Sequence, residues 1–142
     1  MAVSKEEISL QDIQALAEFR YNIRRFLRKS EEILREHDLK PQQYLLMLSV
    51  KGLPAGVPTT ITHIAERLQI HHHSTVELVD RLEVRGLVKR TRGGEDRRQV
   101  LLELTPKGEK LLRAMALLHR DELRSKGPAL VGALKKVLAS QK

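Results

Sequence analysis

The chain has 142 residues, of which 31% are charged and 41% hydrophobic, with a net charge of +8 and a pI near 10.0. That length suffices for one core, and the basic excess favours a polyanionic partner, because Lys and Arg displace counterions condensed on phosphates. The absence of cysteine excludes disulfides, thiolate metal sites and thiol redox sensing.

No glycine-rich phosphate loop and no nucleophile, base and orienter set marks an enzyme, and no cofactor is expected. The polar N-terminus, MAVSKEEISLQDI, reads as neither signal peptide nor membrane anchor. No window approaches the roughly 20 apolar residues of a membrane span, so a cytoplasmic protein is expected.

Apolar residues from Leu10 to His37 follow helical spacing, with Arg24, Arg25, Arg28, Lys29 and Glu32 on a wet face. Residues 37–40 break that helix, and Pro41 suits the first turn of a second, running to about Val50. Gly52, Pro54, Gly56 and Pro58 then form a loop. Thr62 is the expected N-cap of a short helix to Leu68, and a further helix spans His72 to Arg85, closed by Gly86 as a left-handed cap. Leu87 to Thr91 and Val100 to Leu104 read as strands, joined by a polar tip over residues 93–99. Thr105-Pro106 starts another helix to about Arg124. Gly127-Pro128 is expected to stop it, before a last amphipathic helix carrying Leu130, Val131, Leu134, Val137 and Leu138.

The helices outside residues 40–105 carry more apolar surface than that small module can cover, which points to a symmetric dimer. The expected organisation is therefore residues 1–39 for dimerisation, 40–105 for the central module and 106–142 for dimerisation, integrated as one domain.

On a helical wheel of residues 72–85, Thr75, Val79 and Leu82 share the inner face, whereas His73, Ser74, Glu77 and Arg81 lie outside. Such a helix can enter the major groove, where base edges display donors and acceptors. A merely solvated face reads equally well from the helix alone. The hairpin tilts the balance: Arg97 and Arg98 stand at a projecting tip beside Glu95 and Asp96, with Arg90 and Arg92 behind them. Arginine at a tip suits the negative potential of a narrow minor groove. From Arg81 to Arg98 there are seven basic and three acidic residues. The four aromatic residues, Phe19, Tyr21, Phe26 and Tyr44, all precede this block. Single strands are commonly held by stacking on such rings, so a duplex is favoured.

The segments LKPQQYLLMLSV, ITHIAERLQI, STVELVDRLEVRGLVKR and EDRRQVLLELTPKGEKLL together resemble the MarR family of winged helix-turn-helix transcription regulators. The family's wing signature is present as Asp96, Arg98, Leu104, Thr105 and Gly108. The resemblance implies a mainly α fold with a small β-hairpin wing, dimerised through its N- and C-terminal helices on a pseudo-palindromic operator. It implies Arg98 in the minor groove, oriented by Asp96. Ser74, Thr75, Glu77 and Arg81 match recognition-helix positions, although the wheel turns Thr75 inward. Family members respond to small aromatic anions, which for a repressor releases the promoter.

The full DNA-binding set expected from sequence is His73, Ser74, Thr75, Glu77, Arg81, Arg92, Asp96, Arg97 and Arg98. Arg20, Arg24 and His72, the last turned inward by the wheel, are candidate contacts for an effector. The run His71-His72-His73 also admits a metal-responsive reading, but consecutive helical residues point 100° apart and do not chelate by themselves. Polar residues tolerated at a helix start are the plain alternative. A winged helix serving protein contact is the rival function.

Overall fold

The computed structural model describes residues 7–93 and 98–139. In chain order these form α1 (Leu10–Arg35), α2 (Pro41–Gly52), α3 (Ile61–Leu68), α4 (His72–Val84), β1 (Val88–Arg92), β2 (Val100–Leu104) and α5 (Pro106–Leu138). Two compact units divide the chain: residues 33–118, and the described parts of residues 1–32 and 119–142.

In the first unit Leu34, Leu46, Met47, Ile64, Val79, Leu82, Leu102 and Met115 are fully covered and form one core with Leu39, Tyr44, Leu87, Val88 and Leu112. Burying each such side chain is worth about 1.5–3 kcal/mol. Burial also pushes the Tyr44 phenol above its ordinary pKa, so it stays neutral.

Three helices in this unit end by the same device. The residue after the cap turns left-handed, and the next backbone N–H reaches back six residues, as a Schellman motif requires. At α1, Asp38 has φ 53° and Leu39 N donates to Leu34 O at 3.0 Å. At α3, Gln69 has φ 56° and Ile70 N donates to Ala65 O at 3.2 Å. At α4, Gly86 has φ 71° and Leu87 N donates to Leu82 O at 2.9 Å. Leu87 is thereby used by the helix cap, which is why β1 begins one residue later than its sequence suggests.

α3 starts at Thr60, whose hydroxyl accepts from His63 N at 3.2 Å, and not at the expected Thr62. The reason is non-local. Thr59 is fastened to the sheet edge, with Leu102 N donating to Thr59 O at 2.9 Å and Thr59 Oγ1 donating to Leu102 O at 2.8 Å. The chain leaves the sheet there and turns into the helix at once.

β1 and β2 pair antiparallel, Val88 opposite Leu104 and Arg92 opposite Val100. Thr105 closes the hairpin base: its hydroxyl donates to Gly86 O at 2.6 Å and accepts from Gly108 N at 3.0 Å, capping α5. Gly108 lies against the Leu87 backbone so closely that a Cβ there would stand 2.0 Å from Leu87 O.

The second unit differs in character. Ala15 and Ala133 are buried, and Ser30 Oγ and His119 Nε2 share a hydrogen bond of 2.7 Å. Yet Ile8, Leu10, Ile13, Leu16, Tyr21, Leu27, Leu123, Val131, Leu134 and Leu138 are exposed. α5 runs straight through Gly127-Pro128, where the sequence suggested a stop. A proline inside a helix costs about 3 kcal/mol. Here the apolar spacing of Leu123, Leu130, Leu134 and Val137 keeps its helical phase across it, and good helix formers follow. No helix among the described residues is long and apolar enough to cross a membrane.

Candidate nucleic-acid interface

α4 begins after His71, which has extended backbone and makes no side-chain cap. Its inner face is Thr75, Val79 and Leu82, all fully covered. The Thr75 hydroxyl donates to His71 O at 3.0 Å, so it ties the first helical turn together from within. Thr75 therefore offers nothing to a base, and its place in the DNA-facing set is corrected. His73, Glu77 and Arg81 are exposed, and Ser74 is half-buried instead of fully outward.

His72 is also corrected. The wheel turned it inward beside Thr75 and Val79, but it is exposed. A wheel gives azimuth and not height: His72 is the first residue of α4, one turn beyond the level at which the core covers that face. It lines an open groove between α3 and α4 with Thr62, Glu66, Gln69 and Ser74. The imidazoles of His71 and His73 stack with centroids 5.9 Å apart and planes 10° from parallel. Sequence spacing concealed this pairing, because His71 precedes the helix and is free of its 100° step. Among the described residues no group of three or more His, Asp or Glu converges on a metal position.

The hairpin adds cations of unequal availability. Arg92 is exposed at the end of β1 and Arg98 is exposed in the turn before β2, while Asp96 and Arg97 lie outside the described residues. Lys89 pairs with Glu103 across the strands at 3.7 Å, an exposed contact worth little. Arg90 is committed: its guanidinium donates to Asp80 Oδ1 at 2.8 Å and to Glu83 Oε1, both on α4. Arg85 is committed too, with Nη1 donating at 3.2 Å to Gln43 Oε1, the same atom that accepts from Lys40 N at the start of α2. Lys107 Nζ donates to Arg85 O at 3.1 Å. Two of the seven basic residues counted between Arg81 and Arg98 thus hold α4 in place. That separation of structural from available arginines is what sequence reasoning missed. The carboxylates at 80 and 83, one helical turn apart, were its readable signal.

The arrangement is a helix with a solvated face of hydrogen-bonding groups, buttressed by a two-stranded hairpin whose outer end is cationic. Residues 37–99 match the family model of the MarR family. The chain belongs to the MarR family. It is 34% identical over 95 residues to YdcH of Bacillus subtilis (strain 168), an uncharacterized HTH-type transcriptional regulator, across 66% of this chain and 65% of that protein. The chain spans less than two thirds of the length of the curated relatives it matches. Among solved structures it is similar to AbsC, a MarR family transcriptional regulator from Streptomyces coelicolor, with TM-score 0.75, 19% identity and coverage of 95% and 94% of the two chains. It is also similar to a mutant of S. aureus MepR bound to an oligodeoxyribonucleotide, with TM-score 0.65, 20% identity and coverage of 96% and 100%. At such identities the likeness is one of fold, the winged helix-turn-helix.

The candidate effector residues fall in different places. Arg20 and Arg24 are exposed on α1 in the outer unit, whereas His72 belongs to the compact unit of residues 33–118. None of the three lines the cleft of about 440 Å³ in the outer unit, where Arg25, Lys29 and Lys126 surround Phe26, Leu123 and Leu130.

Proposed function

We propose that this protein is a homodimeric transcription regulator, a repressor acting in the cytoplasm, that reads a pseudo-palindromic double-stranded operator. The observation that carries the reading is α4, with exposed His73, Glu77 and Arg81, tied by side-chain and backbone bonds to a hairpin bearing exposed Arg92 and Arg98. α4 enters the major groove and Arg98 the adjacent minor groove. The MepR relative bound to an oligodeoxyribonucleotide supports duplex DNA as the partner class. The exposed apolar faces of α1 and the end of α5 support a second copy as the other partner. A small aromatic anion is the proposed effector, and the apolar cleft with its three cations is chemically suited to one.

Selection of bound duplexes from a random pool tests this. It should return two inverted half-sites about one helical turn apart, roughly 34–36 Å. Arg98→Ala should weaken binding of the selected duplex and flatten its log–log salt slope by about 0.9, the share of one phosphate contact. A pool that returns no enriched sequence would favour the protein-contact reading instead.

A further inference from the structure

We propose that Arg90 is a positioning residue for DNA recognition, a strut that sets the angle between α4 and the hairpin and does not itself bind phosphate. The proposal rests on the DNA-binding reading above. Arg90 is 30% exposed, and its two terminal nitrogens engage different carboxylates, Asp80 and Glu83, one turn apart on α4. A planar guanidinium fork engaging two fixed acceptors has little freedom left. Arg90 stands two residues before the outer end of β1, opposite Leu102. Leu102 is in turn bonded through its own backbone to Thr59. The hairpin is therefore held at two points, by Thr59 on β2 and by α4 through Arg90.

Charge argues against a phosphate-binding role. One guanidinium set against two carboxylates leaves the trio net negative, which opposes a polyanion. A surface selected only for phosphate affinity would not carry Asp80 and Glu83 there. Their presence is accounted for if geometry, and not charge, is what they supply.

The test uses the full chain, with Arg90→Gln and the double variant Asp80→Asn/Glu83→Gln. Affinity is measured for the selected operator and for a scrambled duplex of equal length, across a salt series. Plain electrostatics predicts tighter operator binding by the double variant, which gains two units of positive charge. The strut predicts the opposite, a loss of about tenfold on the operator with little change on the scrambled duplex, because misaligned contacts lose sequence readout first. Operator binding by the double variant as tight as wild type, or tighter, overturns the proposal. So does an Arg90→Gln salt slope flatter by about 0.9, which marks a lost phosphate contact.

Amide hydrogen exchange in the free protein judges the strut without DNA. Val88 to Arg92 should exchange faster in Arg90→Gln, and unchanged protection there refutes the strut. If wild type prefers no duplex at all, the DNA reading fails while the exchange result still decides the strut. Arg90→Lys, which keeps the charge but not the fork, serves if Arg90→Gln does not fold, and should fall between the two.

Discussion

In residues 33–118, Leu46, Met47, Ile64, Val79 and Leu82 are all fully covered, whereas on α1 and the end of α5 Leu10, Leu16, Leu27 and Leu138 remain 43–71% exposed. Both regions are helical and amphipathic, so propensity does not separate them. What separates them is whether the chain itself supplies the opposing surface. The inner module closes its core with elements folded over one another, and it fixes its helix ends with backbone bonds. The outer helices present an apolar face that a single copy leaves wet. Specific recognition and self-association are thus assigned to different parts of one short chain, and each part can be broken alone.

The largest effect is expected where the outer face is charged. Leu16→Glu combined with Leu134→Glu should abolish self-association while the inner module stays folded. Each buried leucine is worth about 1.5–3 kcal/mol, and every substitution counts twice across a symmetric interface. Sedimentation should show a monomer with near-native helicity; an intact dimer would move the interface elsewhere.

Next comes the inner module at its tightest point. Gly108→Ala places a methyl 2.0 Å from the Leu87 carbonyl oxygen, and backbone on both sides must move. A loss of about 3 kcal/mol is expected from overpacking of that kind, read from denaturant melts. A variant as stable as wild type would show that the contact between α5 and the α4 cap is soft.

The smallest effect concerns Glu109, which joins α5 to α2. The hydrogen bond from Lys51, together with Arg113, holds its carboxyl below the ordinary carboxylate range. A lowered pKa in the folded state adds stability above the ordinary value, lost as pH falls through the lowered one. Glu109→Gln should therefore melt slightly below wild type at neutral pH, with the gap closing below about pH 4. A gap that persists in acid would assign the effect to packing.

Much of the inner module was legible in sequence because its signals are local. Thr105-Pro106 and Gly86 are residue types that suit one position in a helix end, and the alternation of Val100, Leu102 and Leu104 suits one half-buried strand. Asp38 and Gln69 perform the same left-handed turn as Gly86 but have side chains that favour it less. Gln69 offsets part of the cost by donating to Glu66 O at 2.8 Å. Thr60 displaced Thr62 because Thr59 is held by a residue 43 positions away. Pro128 did not stop α5, since the helical phase of its neighbours outweighed one missing bond. At the candidate interface, identity and azimuth were readable for His73, Glu77 and Arg81. The depth of His72 and the commitments of Arg85 and Arg90 depend on tertiary partners and were not.

The central claim is that the exposed face of α4 gives this chain its sequence preference. It is tested most directly by the ratio of affinities for the selected operator and a scrambled duplex, measured at one salt concentration for wild type and for Arg81→Ala. The account predicts a wild-type ratio of about 10³ or more, and a fall of roughly tenfold in Arg81→Ala with an unchanged melting temperature. A wild-type ratio near one, or an Arg81→Ala ratio equal to wild type, would contradict it.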